Sequence, residues 1–122
     1  MTFPKIAVKA TNLELSQGLS NLIDQKLTPL GKLVPEGATD AYCRVEVEKL
    51  TEHQTGKIYR VEVNLFAYGK TYRAEATEEQ VEKAIDEARD ELKRELEHAS
   101  GKRQSLVRRG ARMLKDFLRF GN

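Results

Sequence analysis

The chain has 122 residues, of which 39% are hydrophobic and 33% charged, and a formal net charge of +2. That length suits one domain, able to bury roughly two-thirds of the surface its unfolded chain exposes. The composition reads as soluble and globular, and no apolar run approaches the ~20 residues of a membrane-spanning helix. The opening Met1-Thr2-Phe3-Pro4-Lys5 has no charged-then-apolar signal pattern, and the single cysteine, Cys43, cannot pair within the chain, so a cytoplasmic location is expected.

In chain order, Lys5-Ile6-Ala7-Val8-Lys9 alternates as a half-buried strand, with Ile6 and Val8 on one face. Ser16 can cap a helix whose apolar stripe is Leu19, Leu22, Ile23, Leu27 and Leu30, and Pro29 predicts a kink or an end near Thr28. Pro35-Glu36-Gly37 reads as a loop. Ala41 to Lys49 alternates again, with Cys43, Val45 and Val47 on one face and Arg44, Glu46 and Glu48 on the other. After a polar loop, Thr51 to Lys57, the row Tyr59, Val61, Val63, Leu65 and Ala67 predicts a third strand. A tight turn at Tyr68-Gly69-Lys70 leads to a fourth, with Tyr72, Ala74 and Ala76 inward. Thr77-Glu78-Glu79-Gln80 has capping-box spacing and predicts the start of a long helix, with the stripe Val81, Ala84, Ile85, Ala88, Leu92, Leu96 and Ala99. Ser100-Gly101 predicts its end. The expected fold is α+β in the order β-α-β-β-β-α: a four-stranded mixed sheet with two helices packed on one face, plus a basic C-terminal tail.

The charge is unevenly placed. Residues 1–99 hold 14 Lys and Arg against 18 Asp and Glu, a balance of −4, whereas residues 100–122 hold seven against one, a balance of +6. This divides the chain into a domain, 1–101, and a basic tail, 102–122, expected to order on a partner. In the tail Arg108, Arg112, Lys115 and Arg119 recur at i, i+4, i+7 and i+11, beside Lys102, Arg103 and Arg109, while Gly110 costs a helix about 1 kcal/mol relative to Ala. Such an arm suits a polyanion, and its five arginines present planar forks that match phosphates and stack on bases. A solubilising tail, a helix packed on the body and an amphipathic membrane helix are the alternatives; without Trp and with a short apolar side, the last is the weakest.

Catalysis has no candidate. Cys43 sits in an inward strand row, where a cysteine behaves as a small apolar residue. His53 and His98 lack metal-ligand spacing, no glycine-rich phosphate loop or nucleophile elbow is present, and Glu46 and Glu48 point outward as salt-bridging groups. No cofactor, metal or small-molecule substrate is expected.

The element order, the size and several local patterns together resemble the short ribosome-hibernation factors, the family of ribosome-associated inhibitors of the small subunit. The matching patterns lie within residues 5–102: Lys5 to Val34 with Glu14-Leu15-Ser16 and Lys26-Leu27, then Ala84-Ile85-Asp86 followed by Leu92, Arg94, Leu96 and Lys102. The resemblance implies a non-enzymatic protein, monomeric off the ribosome, that occupies the decoding channel of the small subunit and inhibits translation in idle or stressed cells. It implies rRNA contacts from Lys26, Lys32, Arg89, Lys93, Arg94 and Lys102. The chain departs from the family at Glu82, Glu91, His98 and Ser100, which makes its body less cationic, and the tail cations Arg103, Arg108, Arg109, Arg112, Lys115 and Arg119 are expected to compensate. A generic double-stranded RNA-binding module, which shares the α-β-β-β-α order, and a protein-interaction adaptor using the acidic body are the alternatives.

Overall fold

Alternating strands and two amphipathic stripes become, in the computed structural model, a single sheet with helices over one face. The structure describes residues 3–34, 40–51, 56–67 and 69–120, the stretch after Ala99 by its backbone and, for side-chain surroundings, Gly101 alone. The elements are β1 (Ile6–Thr11), α1 (Gln17–Leu27), a 3-10 segment (Thr28–Leu33), β2 (Tyr42–Lys49), β3 (Tyr59–Ala67), β4 (Lys70–Glu78) and α2 (Val81–Phe120). The sheet order is β1-β2-β3-β4, parallel between β1 and β2 and antiparallel thereafter. A parallel pair needs a crossover, and α1 supplies it; the other connections are short enough for a meander.

The local signals act where expected. Ser16 Oγ accepts the Leu19 N–H at 3.1 Å and fixes the start of α1. Pro29 cannot continue that helix, so α1 ends at Leu27 and the chain tightens into the 3-10 segment, which keeps Leu30 facing the core. Ala67 pairs directly with Lys70, leaving a two-residue connection in which Gly69 takes a φ of +70° that a side chain would oppose; Tyr68 of this turn lies outside the described residues. The Pro35-Glu36-Gly37 loop and His53 also lie outside them.

The core lies between α2 and the sheet. Cys43, Val45, Val47, Val61, Val63, Leu65, Tyr72 and Ala74 meet Ala84, Ile85, Ala88, Leu92 and Leu96, and Ile23, Leu27 and Leu30 close one side. Each large aliphatic side chain so buried contributes about 1.5–3 kcal/mol of transfer free energy. Cys43 is part of this layer, and burial pushes its thiol up to about 12. The native protein is therefore expected to resist alkylation by iodoacetamide at pH 8 and to react fully in guanidinium, as mass spectrometry would show.

Two boundaries differ from the sequence expectation. Thr77 does not cap α2: it pairs with Arg60, β4 runs on to Glu78, and the helix begins at Val81, with the Ala84 N–H bonded to the Gln80 carbonyl at 3.1 Å. The strand continues because Glu78 falls on the inward row of Tyr72, Ala74 and Ala76, where Lys57 and Lys83 meet its carboxylate at 3.7 and 3.4 Å. Nor does the helix stop at Ser100-Gly101. A glycine ends a helix by turning left-handed, and Gly101 does not; the backbone stays helical to Phe120, so the boundary expected at residue 101 falls inside α2.

Glu78 has a second consequence. The carboxyl of Glu87, on the first turns of α2, shares a hydrogen bond with it, which holds Glu78 below and Glu87 above the ordinary carboxylate value of 4.5. A raised group stabilises below that ordinary value and loses its contribution as pH climbs through its folded value; the lowered partner does the reverse. Glu87→Gln keeps the donor without the charge. Its melting temperature is expected to exceed the wild type's at pH 8 and to converge with it by pH 4, where Glu87 carries its own proton.

Candidate RNA interface

Four of the cations implied by the family resemblance come together. Lys26 stands in the last turn of α1 and Lys32 in the last turn of the 3-10 segment, both delivered to one side by the break at Pro29. Arg89 and Lys93, one helical turn apart, project from the facing side of α2. Together with Gln25, Pro29, Leu30 and Asp90 they line a cleft of about 360 Å³ between the two helices.

Two carboxylates hold this cluster in place. Lys26 Nζ lies 2.8 Å from Asp86 Oδ1, a buried oxygen met by this ion pair and not by any contact of hydrogen-bond geometry among the described residues, and Arg89 approaches the same atom at 3.8 Å. Arg89 also grips Asp90, at 2.9 Å through Nη2 and 3.0 Å through Nε. Lys32 and Lys93 are exposed and make no ion pair among the described residues. Four cations against two carboxylates leave the cleft positive, with Lys26 and Arg89 oriented and Lys32 and Lys93 free to meet a phosphate. Asp86 and Asp90 are the parts that sequence reasoning missed; their spacing, three before and one after Arg89, was the available signal.

Arg94 is not part of this cluster. It lines a separate recess of about 230 Å³ over β4 with Glu75, Glu87, Asp90 and Glu91, whose carboxylates compete with any phosphate there. The side chains of Lys102, Arg103, Arg108, Arg109, Arg112, Lys115 and Arg119 lie outside the described residues.

The open face of the sheet carries the other charges, mostly paired with one another. Arg60 contacts Glu75 at 2.9 Å, Glu46 at 3.6 Å and Glu62; Arg73 reaches Glu62 at 3.1 Å and Glu75 at 3.3 Å; Lys9 lies 3.9 Å from Glu46. The Asn64 amide and then Arg60 hold the Glu62 carboxyl below the usual range, and Arg60 does the same for Glu75. Three carboxylates thus meet three cations, which leaves little net negative field here for a basic protein partner to read. Among the described residues no group of three or more His, Cys, Asp and Glu is placed to hold a metal ion, and no helix is long and apolar enough to cross a membrane.

Comparison with known proteins gives this arrangement a family. The fold is similar to the Protein Y N-terminal domain of Thermus thermophilus (TM-score 0.64, 20% identity, 79% of this chain and 97% of that one). It is also similar to a ribosomal subunit interface protein from Coxiella burnetii (TM-score 0.61, 16% identity, with the same 79% and 97% coverage). No curated protein matches the sequence. The family model described as "Sigma 54 modulation protein / S30EA ribosomal protein" matches residues 6–104. With most of its length matched by that model, the chain belongs to this family of ribosome-associated proteins.

Proposed function

We propose that this protein is a non-catalytic factor that binds the small ribosomal subunit through its rRNA, occupies the decoding channel and so holds idle ribosomes out of translation. The observation that carries this reading is the convergence of Lys26, Lys32, Arg89 and Lys93, from three separate segments, on one positive cleft in a family fold. Occupancy alone does the work: a folded body in the channel excludes messenger and transfer RNA, so no bond is made or broken, and neither a small-molecule substrate nor a membrane is involved. It acts in the cytoplasm as a monomer until it meets a subunit. Residues 102–122 serve as a cationic arm on this body, adding phosphate contacts where the acidic 1–101 region has few to give.

The test is competition on vacant small subunits. The protein is expected to co-sediment with them, and prior binding is expected to block messenger-programmed binding of transfer RNA, with excess messenger and transfer RNA displacing the protein in turn. Simultaneous retention of all three would remove the channel from the reading, and absence of co-sedimentation at low salt would remove the ribosome. The α1-β2-β3-β4-α2 order is also that of double-stranded RNA-binding modules, which read shape through phosphates and 2′-hydroxyls. A plain RNA duplex that competes as well as subunits do would favour that reading.

A further inference from the structure

The register of the sheet lays its open face out as a grid. The row nearest the β3–β4 turn is Thr71, Phe66 and Tyr42; the next is Arg73, Asn64, Arg44 and Ala7; the third is Glu75, Glu62, Glu46 and Lys9. The third row is where the ion pairs concentrate. Arg73 turns toward it, and Arg60 reaches it from the far side. Arg44 behaves differently. Glu46 is two residues along the same strand and faces the same way, yet Arg44 makes no ion pair among the described residues and lies over the Tyr42 ring, 5.0 Å from its centroid.

The first row is an aromatic surface. Tyr42 and Phe66 stack with centroids 5.1 Å apart and planes 18° from parallel, and Tyr42 is one of only two large hydrophobic residues that are exposed among those described. Beside them a recess of about 260 Å³ opens at Ala7, lined also by Arg44 and Asn64 and, toward the third row, by Lys9 and Glu46, which lie 3.9 Å apart. The first row carries no carboxylate, and the acids of the third row are already neutralised. The patch therefore offers flat π-surface, an unpaired guanidinium, an amide and local positive charge together. A flat hydrophobic partner alone would leave Arg44 without a counter-charge. A nucleotide satisfies every part, because its base has a π-face to stack and its phosphate answers the guanidinium.

We infer that Tyr42, Phe66 and Arg44 form a stacking platform for one unpaired nucleotide of an RNA single strand, on the sheet face opposite the helix cleft. This rests on the reading that the protein binds RNA, and it adds a second contact surface on the other side of the domain. The platform would grip a base that the partner RNA leaves unstacked, independently of the phosphates at Lys32 and Lys93.

The test uses the whole chain with a short single-stranded oligoadenylate, the same oligomer with abasic sites, and vacant small subunits. Oligoadenylate is expected to bind at least tenfold more tightly than its abasic counterpart, and Tyr42→Leu/Phe66→Leu is expected to erase that preference. Tyr42→Phe, which keeps the ring, is expected to retain it. Arg44→Gln leaves both rings in place and is expected to flatten the salt dependence by roughly 0.7 in log–log slope, one single-strand phosphate contact. Ultraviolet crosslinking on small subunits is expected to place an rRNA nucleotide on Tyr42 or Phe66. Equal binding of abasic and intact oligomers, or an unchanged base preference in the double Leu variant, overturns the platform even if subunit binding persists. Concentration-dependent dimerisation abolished by the double Leu variant would also overturn it, by making the patch a contact between copies. Loss of subunit binding by the wild type would instead overturn the parent reading, and the oligomer arms do not depend on it.

Discussion

Lys32→Glu/Lys93→Glu is expected to weaken small-subunit binding by about a hundredfold at roughly 0.1 M monovalent salt and to flatten the log–log salt slope by roughly 1.4–1.8. The magnitude follows from counterion release. Each phosphate contact contributes about 0.7–0.9 to that slope, which near 0.1 M salt is close to one factor of ten in affinity. These two lysines are the right choice because Lys26 and Arg89 are already tied to Asp86 and Asp90, so substituting them would disturb the α1–α2 contact as well as any phosphate. Lys32 and Lys93 are exposed and carry no such structural duty, so the melting temperature is expected to stay within a few degrees of wild type. The substitution also turns a cleft of four cations and two carboxylates into one of two cations and four carboxylates, so repulsion adds to the lost contacts. Lys32→Gln/Lys93→Gln separates the two effects, giving the slope change without the repulsion. Co-sedimentation across a salt series reads both; unchanged affinity with an intact fold would move the RNA away from this cleft.

The cations of this cleft were named by the family resemblance, while the residue pattern itself fixed only their place relative to the buried stripes. The 3.6-residue stripes of α1 and α2 fix which side of each helix is buried, and therefore which side Lys26, Arg89 and Lys93 occupy. Pro29 marked a break near Thr28, and the structure shows that the 3-10 segment after it brings Lys32 to the same side. What the stripes do not contain is the packing of one helix on the other, so the separation of Arg94 from its neighbours could not be read from them. Arg94 and Lys93 are adjacent in sequence, but one residue is about 100° around the helix, enough to send them to recesses of opposite charge. The capping box failed for a related reason. Thr77-x-x-Gln80 has a local spacing that satisfies helix donors, but pairing opposite Arg60 takes Thr77 into the ladder and extends the sheet instead. Arg44 was visible as an outward residue of its strand, yet the cross-strand register that stacks Tyr42 on Phe66 belongs to the sheet, since the two rings are 24 positions apart in sequence.

Removing residues 102–122 is expected to cost more than the cleft substitutions. The segment carries seven cations against Asp116, and its loss leaves a chain whose remaining balance is close to the −4 of residues 1–99. If three of those cations meet phosphates on the subunit, the slope falls by roughly 2–3 and affinity near 0.1 M salt by about two to three orders of magnitude. The body should survive the cut, because the buried stripe of α2 has its last described member at Ala99. Truncation there also removes helix that continues past Gly101, so the ellipticity per chain should drop while the melting temperature holds within a few degrees. The full-length protein and the truncation should differ most at low salt and converge near 1 M, where screening shortens the reach of the tail's charge to about 3 Å. A truncated protein that co-sediments as tightly as the whole chain across that series would confine binding to the domain and leave the arginine-rich segment without a part in it. Convergence at high salt with a steep divergence below it would mean that an acidic globule is held on a polyanion chiefly by the charge at the end of its own longest helix.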